Sequence, residues 1–95
     1  SKLSKIIGVK NGTQMSYLDG NIIVDTFIKN PNGSNYVYAP VKSGYTVMAA
    51  INGDYNAWSG YVTGISRQGV TEIIWLSSNR SGNIRVNVIY IKTAW

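Results

Sequence analysis

The sequence predicts an all-β fold, an antiparallel, jelly-roll-like β-sandwich of about seven or eight short strands. Few windows show the i, i+3, i+4, i+7 apolar spacing of an amphipathic helix, whereas β-branched residues and tyrosines recur along the whole chain. Turn residues return roughly every eight to twelve positions, which is typical of a sandwich. The 95 residues make one domain, with enough chain for a core of its own.

Turn dipeptides separate the first strands. Asn11-Gly12 is a strong hairpin signal and Asp19-Gly20 has the same chemistry, because these residues tolerate the positive φ angles of tight turns. The first 35 residues therefore either contribute hairpins to the sandwich or form a neck that leads into residues 36–95.

Proline and glycine also mark the ends of the later strands. Pro31 and Gly33 lie in one loop, Pro40 ends the extended stretch that follows, and Gln68-Gly69 predicts a turn between two strands. The predicted strands are residues 5–10, 13–18, 21–29, 36–38, 45–52, 61–67, 70–76 and 84–92.

The strands at 70–76 and 84–92 carry apolar side chains on both faces. A sandwich buries one face of each sheet, so the second face of such a strand needs another cover. Either a loop or N-terminal segment of the same chain supplies this cover, or another subunit does. The residues predicted for a subunit interface are Ile73, Trp75, Ile89, Ile91 and Trp95.

The composition excludes several kinds of chemistry. Without Cys or His, the chain has no disulfides, no Cys/His zinc site and no histidine-based nucleophile system. Its four acidic residues fall in a turn, two strands and a loop, and nothing in their spacing brings a catalytic pair of carboxylates together. We therefore expect no enzymatic activity, no cofactor and no metal.

Two loops carry the residue types that bind neutral saccharides, which stack on aromatic rings and accept hydrogen bonds from amides and hydroxyls. The loop at 53–60 combines aromatic and polar side chains between two glycines, and the loop at 77–83 adds an amide and a guanidinium. The candidate ligand-binding residues are Asp54, Tyr55, Asn56, Trp58, Asn79 and Arg80. The alternatives are that Trp58 folds back onto the sandwich as a plug and that Arg80 is a solvated loop residue.

Nine Lys and Arg residues against four Asp and Glu give a net charge of +5. With interleaved Tyr and Trp, this charge leaves a single-stranded nucleic-acid-binding β-barrel as an alternative. The basic residues form no run, however, so dispersed charge that steers an anionic polymer is the favoured interpretation. No apolar stretch approaches the ~20 residues of a membrane span, and we expect no membrane insertion.

The second half of the chain shows an ordered set of features. Ser43-Gly44-Tyr45 leads into an apolar strand, a later strand ends in Ile65-Ser66-Arg67, and a loop containing Asn79 precedes a closing strand with the sequence Val88-Ile89-Tyr90-Ile91-Lys92. Over residues 36–92 this order resembles the C-terminal domain at the tips of tail fibre and baseplate proteins of phages and prophages of Gram-positive bacteria.

The resemblance implies a homotrimeric β-sandwich knob that recognises a host receptor, either a bacterial surface polysaccharide or another carbohydrate-containing cell-wall polymer. It also implies a location at the tail tip of a virion or outside the cell. Binding residues vary among such knobs, so none is carried over to this chain. A stand-alone carbohydrate-binding module is a closely related alternative.

Overall fold

A computed structural model describes residues 8–53 and 58–93, and within these ranges eight antiparallel strands form two sheets. The prediction of an all-β, sandwich-like fold is confirmed. The strands are β1 (Val9–Asn11), β2 (Gln14–Tyr17), β3 (Ile22–Lys29), β4 (Ser34–Tyr38), β5 (Tyr45–Gly53), β6 (Val62–Gln68), β7 (Thr71–Arg80) and β8 (Ile84–Lys92). The predicted strand at 5–10 begins outside the described residues.

The larger sheet has the order β1-β2-β3-β8-β5, and the smaller sheet has the order β4-β7-β6. The connections β3–β4, β4–β5 and β5–β6 each pass from one sheet to the other, and so does the connection β7–β8. Because consecutive strands change sheet, the inner faces of both sheets share one core. The β1–β2 hairpin extends the larger sheet beyond this arrangement.

Strict alternation in β8 supplies the centre of the core. Ile84, Val86, Val88 and Tyr90 point inward and are almost fully buried, while the residues between them point outward. Ile74 and Leu76 of β7 and Val37 of β4 cover them from the smaller sheet, and Ile23 and Val47 flank them within the larger one. Each fully buried aliphatic side chain of this kind contributes about 1.5–3 kcal/mol.

Two hairpin loops begin one residue later than the sequence predicts, so glycine is the first loop residue and not the second. Asn11 is still in β1 and pairs with Gln14, so the loop consists of Gly12 and Thr13. Gly12 has a φ of +63° and Gly69, in the equivalent place between β6 and β7, has a φ of +64°. A positive φ at the first loop position only is the geometry of a type II′ turn, which favours glycine there.

The turn between β2 and β3 is more strained than its Asp-Gly sequence suggests. Leu18, Asp19 and Gly20 all have positive φ angles, at 52°, 58° and 84°. For an aspartate or glycine this conformation is accessible, but for leucine the left-handed region is unfavourable by roughly 1–2 kcal/mol. Asn21 stabilises the turn because its side-chain Nδ2 donates a hydrogen bond to the carbonyl oxygen of Leu18 at 2.8 Å.

Strand β7 is longer than predicted. The apolar pattern ends at Leu76, but the strand continues through polar residues to Arg80, which pairs with Ser34 at the start of β4. The ladder to β4 is irregular between Ser34 and Tyr36. Backbone pairing rather than side-chain alternation therefore sets the end of β7, and a local pattern carries no signal for it.

The buried carboxylate of Asp25 connects β3 with the β1–β2 loop and with the segment that precedes β5. Asp25 in β3 accepts hydrogen bonds from Thr13 Oγ1 at 2.7 Å and from the backbone N–H of Thr26 at 2.9 Å, and its Oδ2 lies 3.0 Å from Lys42 Nζ. Burial alone would raise the pKa of Asp25, but the hydrogen bonds and the Lys42 charge together lower it below its ordinary value. Asp25 is thus a structural anion.

Candidate functional site

The predicted loop at 53–60 lies only partly within the described residues. Asp54, Tyr55 and Asn56 lie outside them. Trp58 is half-buried and packs against the core, and its ring lies over Gly60 so closely that a Cβ atom there would be 1.9 Å from Cζ2. Asn52 Nδ2 fixes this arrangement by donating to the carbonyl oxygen of Gly60 at 2.5 Å. The indole thus packs on the sandwich, as the plug alternative describes, and its role in ligand binding stays a prediction.

Asn79 and Arg80 lie at the end of β7. Asn79 is exposed, whereas the guanidinium of Arg80 folds back over Gly82 and donates from Nη2 to the carbonyl oxygen of Asn83 at 3.3 Å. Within the described part of the chain, Arg80 Nε is buried without a hydrogen-bond partner. Arg80 thus lies against its own turn, and its role in binding stays a prediction.

Three aromatic rings lie together on the outer face of the smaller sheet. Tyr36 and Tyr38 are two residues apart on β4 and pair with Trp75 and Ile73 of β7. All four side chains therefore lie on the side of the smaller sheet that faces away from the core. The Tyr36 ring lies 5.4 Å from Trp75 and 5.7 Å from Tyr38 between centroids. We call this surface the aromatic face; it consists of Tyr36, Tyr38, Gly64, Ser66, Ile73 and Trp75.

The neighbouring strand β6 leaves the aromatic face open. Gly64 pairs with Trp75 and has no heavy atom within 4 Å of the position that a Cβ would occupy. Ser66 orients the indole by accepting a hydrogen bond from Trp75 Nε1 at 2.8 Å. Tyr38 remains 54% exposed. The rings therefore form an accessible platform in which the one indole N–H is already satisfied.

A groove of about 330 Å³ runs beside this platform along β4. Besides Tyr36 and Tyr38, its walls include Lys29, Asn30 and Ser34. Asn30 Oδ1 holds the wall in place because it accepts hydrogen bonds from the backbone N–H groups of Asn32, at 2.8 Å, and of Gly82, at 3.1 Å. Aromatic area, hydroxyls, amides and one ammonium group are thus presented side by side.

Sequence reasoning missed this platform. It predicted Trp75 for a subunit interface, which stays a prediction, and predicted a short strand at residues 36–38 without assigning its tyrosines a role. The available signal was the spacing of Tyr36 and Tyr38, which are two residues apart and therefore share a face of any strand. Their partner, Trp75, is distant in sequence and is brought to them only by the β4–β7 pairing.

A second groove, of about 360 Å³, lies between the start of β5 and the β6–β7 hairpin. Its carboxylate, Glu72, accepts hydrogen bonds from Thr46 Oγ1 at 2.9 Å and from the backbone N–H of Val47 at 2.6 Å. Arg67 lies 3.7 Å from Glu72 through Nε and also donates to the carbonyl oxygen of Val47 through Nη2. These charged groups are occupied with one another and with the edge of β5.

The outer face of the larger sheet is mainly aliphatic. Val24, Ile89 and Ala49 lie opposite one another across β3, β8 and β5 and point away from the core. We call this surface the apolar face; it consists of Met15, Tyr17, Ile22, Val24, Ile28, Ala49, Ile51, Ile89 and Ile91.

The predicted interface residues therefore divide between two surfaces. Ile89 and Ile91 lie on the apolar face, whereas Ile73 and Trp75 lie on the aromatic face at the opposite side of the sandwich. Trp95 lies outside the described residues. The prediction grouped the four because a strand that is apolar on both faces does not reveal which sheet it joins.

The acidic side chains of Asp25 and Glu72 have structural partners. Asp25 and Glu72 are both committed to hydrogen bonds and ion pairs that hold the fold. Within residues 8–53 and 58–93, no three acidic side chains lie close enough together to hold a metal ion. No helix in these ranges is long and apolar enough to cross a membrane.

No protein-family model, no curated protein and no solved structure matches this chain.

Proposed function

We propose that this domain is a non-catalytic, carbohydrate-binding knob that recognises a host receptor at the tip of a phage tail fibre or baseplate, and that it acts as a homotrimer. The receptor is a bacterial surface polysaccharide or another carbohydrate-containing cell-wall polymer. The observation that carries the proposal is the aromatic face with the polar groove beside it. The resemblance over residues 36–92 and the exchange of consecutive strands between sheets, as in jelly rolls, also support it.

The platform suits the two surfaces of a sugar ring. The C–H faces of a saccharide pack on aromatic rings, and its hydroxyls exchange hydrogen bonds with amides, hydroxyls and charged groups. Tyr36, Tyr38 and Trp75 supply the first kind of contact. The Asn30 Nδ2 amide and the Ser34 hydroxyl in the adjoining groove supply the second. Tyr and Trp do this at a small loss of side-chain entropy because each has only two χ angles.

The charge of the domain fits the same class of receptor. A net charge of +5 attracts anionic polymers over a distance set by the ionic strength. Lys29 lies in the groove wall, next to the platform. Phosphate- or carboxylate-bearing glycans are therefore expected to associate faster than neutral ones at low salt.

Binding to purified cell-wall polysaccharide and to a glycan array tests the site. Tyr38→Ala is the main variant, because this side chain is more than half exposed and its removal leaves the core intact. We expect affinity to fall about tenfold or more, since aromatic residues at the centre of a binding surface commonly contribute over 1 kcal/mol.

Tyr61→Ala is the matched control. Tyr61 is 63% exposed, follows Gly60 directly, is hydrogen-bonded to Ser77 and is not one of the three rings of the aromatic face. A loss confined to Tyr61→Ala would move the site to the loop at 53–60 and contradict the proposal. Binding to oligonucleotides that weakens steeply with salt, without glycan binding, would favour the nucleic-acid alternative instead.

A further inference from the structure

The apolar face is large enough to be a protein–protein interface. Its most exposed members are Ile51 at 61%, Ile28 at 45%, and Tyr17 and Ile91 at 37% each. With the half-buried residues between them, the exposed apolar area is on the order of 500 Å², near the upper end for the largest patch of a soluble monomer. A stable homomeric interface takes about 800 Å² from each partner, of which roughly two-thirds is apolar.

The centre of the apolar face carries no charge that burial would leave unpaired. Thr26 and Asn87 lie opposite each other there, and Thr26 Oγ1 donates to Asn87 Oδ1 at 2.7 Å. Of the described residues on β1, β2, β3 and β8 that point outward, only Lys10 and Arg85 are charged, and each lies towards an end of the surface. A partner that binds through charge would find few charged groups here. An equally apolar partner surface would exclude water from the apolar face and from itself.

The two outer faces point to opposite sides of the sandwich. Contacts between the apolar face of one copy and the aromatic face of the next therefore favour an open stack over a small closed ring. If every copy instead turns its apolar face to a common axis, the assembly closes and all aromatic faces point outward. This second arrangement leaves the platform accessible in each copy.

We infer that the apolar face is buried against a second copy of this chain and that the aromatic face is not part of the interface. In a trimer, each half of the apolar face would contact a different neighbour. The inference names the contact surface of the assembly and does not depend on which ligand the platform binds, or on whether it binds one.

Light scattering coupled to size-exclusion chromatography tests the inference on the full chain. We expect the wild type to run as an oligomer at micromolar concentration and Ile51→Glu to shift it to monomer, with a rise of about tenfold or more in the dissociation constant. Ile51 is well exposed in the single chain, so the substitution leaves the fold intact. Circular dichroism checks that it does.

Val70→Glu is the matched control, with the same kind of change at a side chain that is 80% exposed and lies in a hairpin turn outside both faces. It should keep the mass of the wild type. A monomeric wild type would overturn the inference and assign the cover of this face to another segment or another protein. An oligomer that persists in Ile51→Glu but dissociates in Tyr38→Glu would also overturn it, because the interface would then be the aromatic face.

Discussion

The two outer faces of the sandwich are both partly exposed and both lack dense charge, yet they differ in chemistry. On the apolar face the exposed groups are mostly branched aliphatic side chains, which gain from losing water but form no hydrogen bonds. On the aromatic face, Tyr36, Tyr38 and Trp75 carry polar atoms at the rims of their rings and adjoin the amides of a groove. The first surface suits another copy of the chain, and the second suits a ligand rich in hydroxyls.

This difference shows that a count of aromatic and apolar residues does not define a binding surface. Trp75 and Ile91 both look like interface residues in the sequence, since each lies on the second face of an apolar strand. Their environments diverge because β7 and β8 are consecutive in the chain but belong to different sheets.

A destabilised core should weaken assembly and glycan binding together, because the two outer faces belong to sheets that share one core. Ile74 is 1% exposed and packs between the sheets, so Ile74→Ala should lower the free energy of unfolding by about 2–5 kcal/mol. Urea denaturation measures this change, with Val70→Ala as the control on an exposed side chain. Assembly and glycan binding should fall together in Ile74→Ala, whereas Ile51→Glu and Tyr38→Ala should each affect one of them.

Acid should weaken the larger sheet first. Because the pKa of Asp25 is lowered in the folded protein, its contribution to stability is complete above about pH 4 and is lost as the pH falls through the folded-state pKa. Asp25→Asn should reduce this acid dependence and lower stability at pH 7 by about 2–3 kcal/mol, since Lys42 then has no carboxylate partner.

Thermal unfolding between pH 2 and pH 7 measures the effect of Asp25→Asn. Asp19→Asn is the control, because Asp19 lies in an exposed turn and asparagine accepts its positive φ. An unchanged acid profile in Asp25→Asn would show that another group controls acid unfolding. Oligomer mass should decrease at a higher pH than glycan binding, because Asp25 supports the strands of the apolar face.

Relieving strain at the β2–β3 turn should stabilise the larger sheet slightly. Leu18 has a φ of 52° and is 51% exposed, so Leu18→Gly removes the steric conflict and forfeits little burial. We expect a gain of about 0.5–1 kcal/mol, measured by urea denaturation. Asn32→Gly, at a φ of 54°, should gain less because asparagine already tolerates this conformation. An equal gain at both sites would mean that the leucine side chain is not the source of strain.

The fold follows from local patterns wherever alternation is strict. Strand β8 has the predicted bounds, residues 84–92, because every second side chain enters the core. Pairing between distant segments is what the sequence does not reveal. The extension of β7 to Arg80 depends on Ser34, and the platform depends on Tyr36 meeting Trp75 across the β4–β7 ladder. The candidate loop at 53–60 followed from residue types alone, and types do not show that the Trp58 ring covers Gly60.

The pairing of Glu72 and Arg67 with the edge of β5 has a consequence for aggregation. Their side chains occupy the N–H and C=O of Val47, next to the bulge between Val47 and Ala49, much as a neighbouring strand would. A ninth strand from another molecule therefore finds neither a free donor nor a regular ladder at this point. At Val47 the edge of β5 therefore resists extension of the larger sheet by a strand of another molecule, although the two outer faces remain partly exposed.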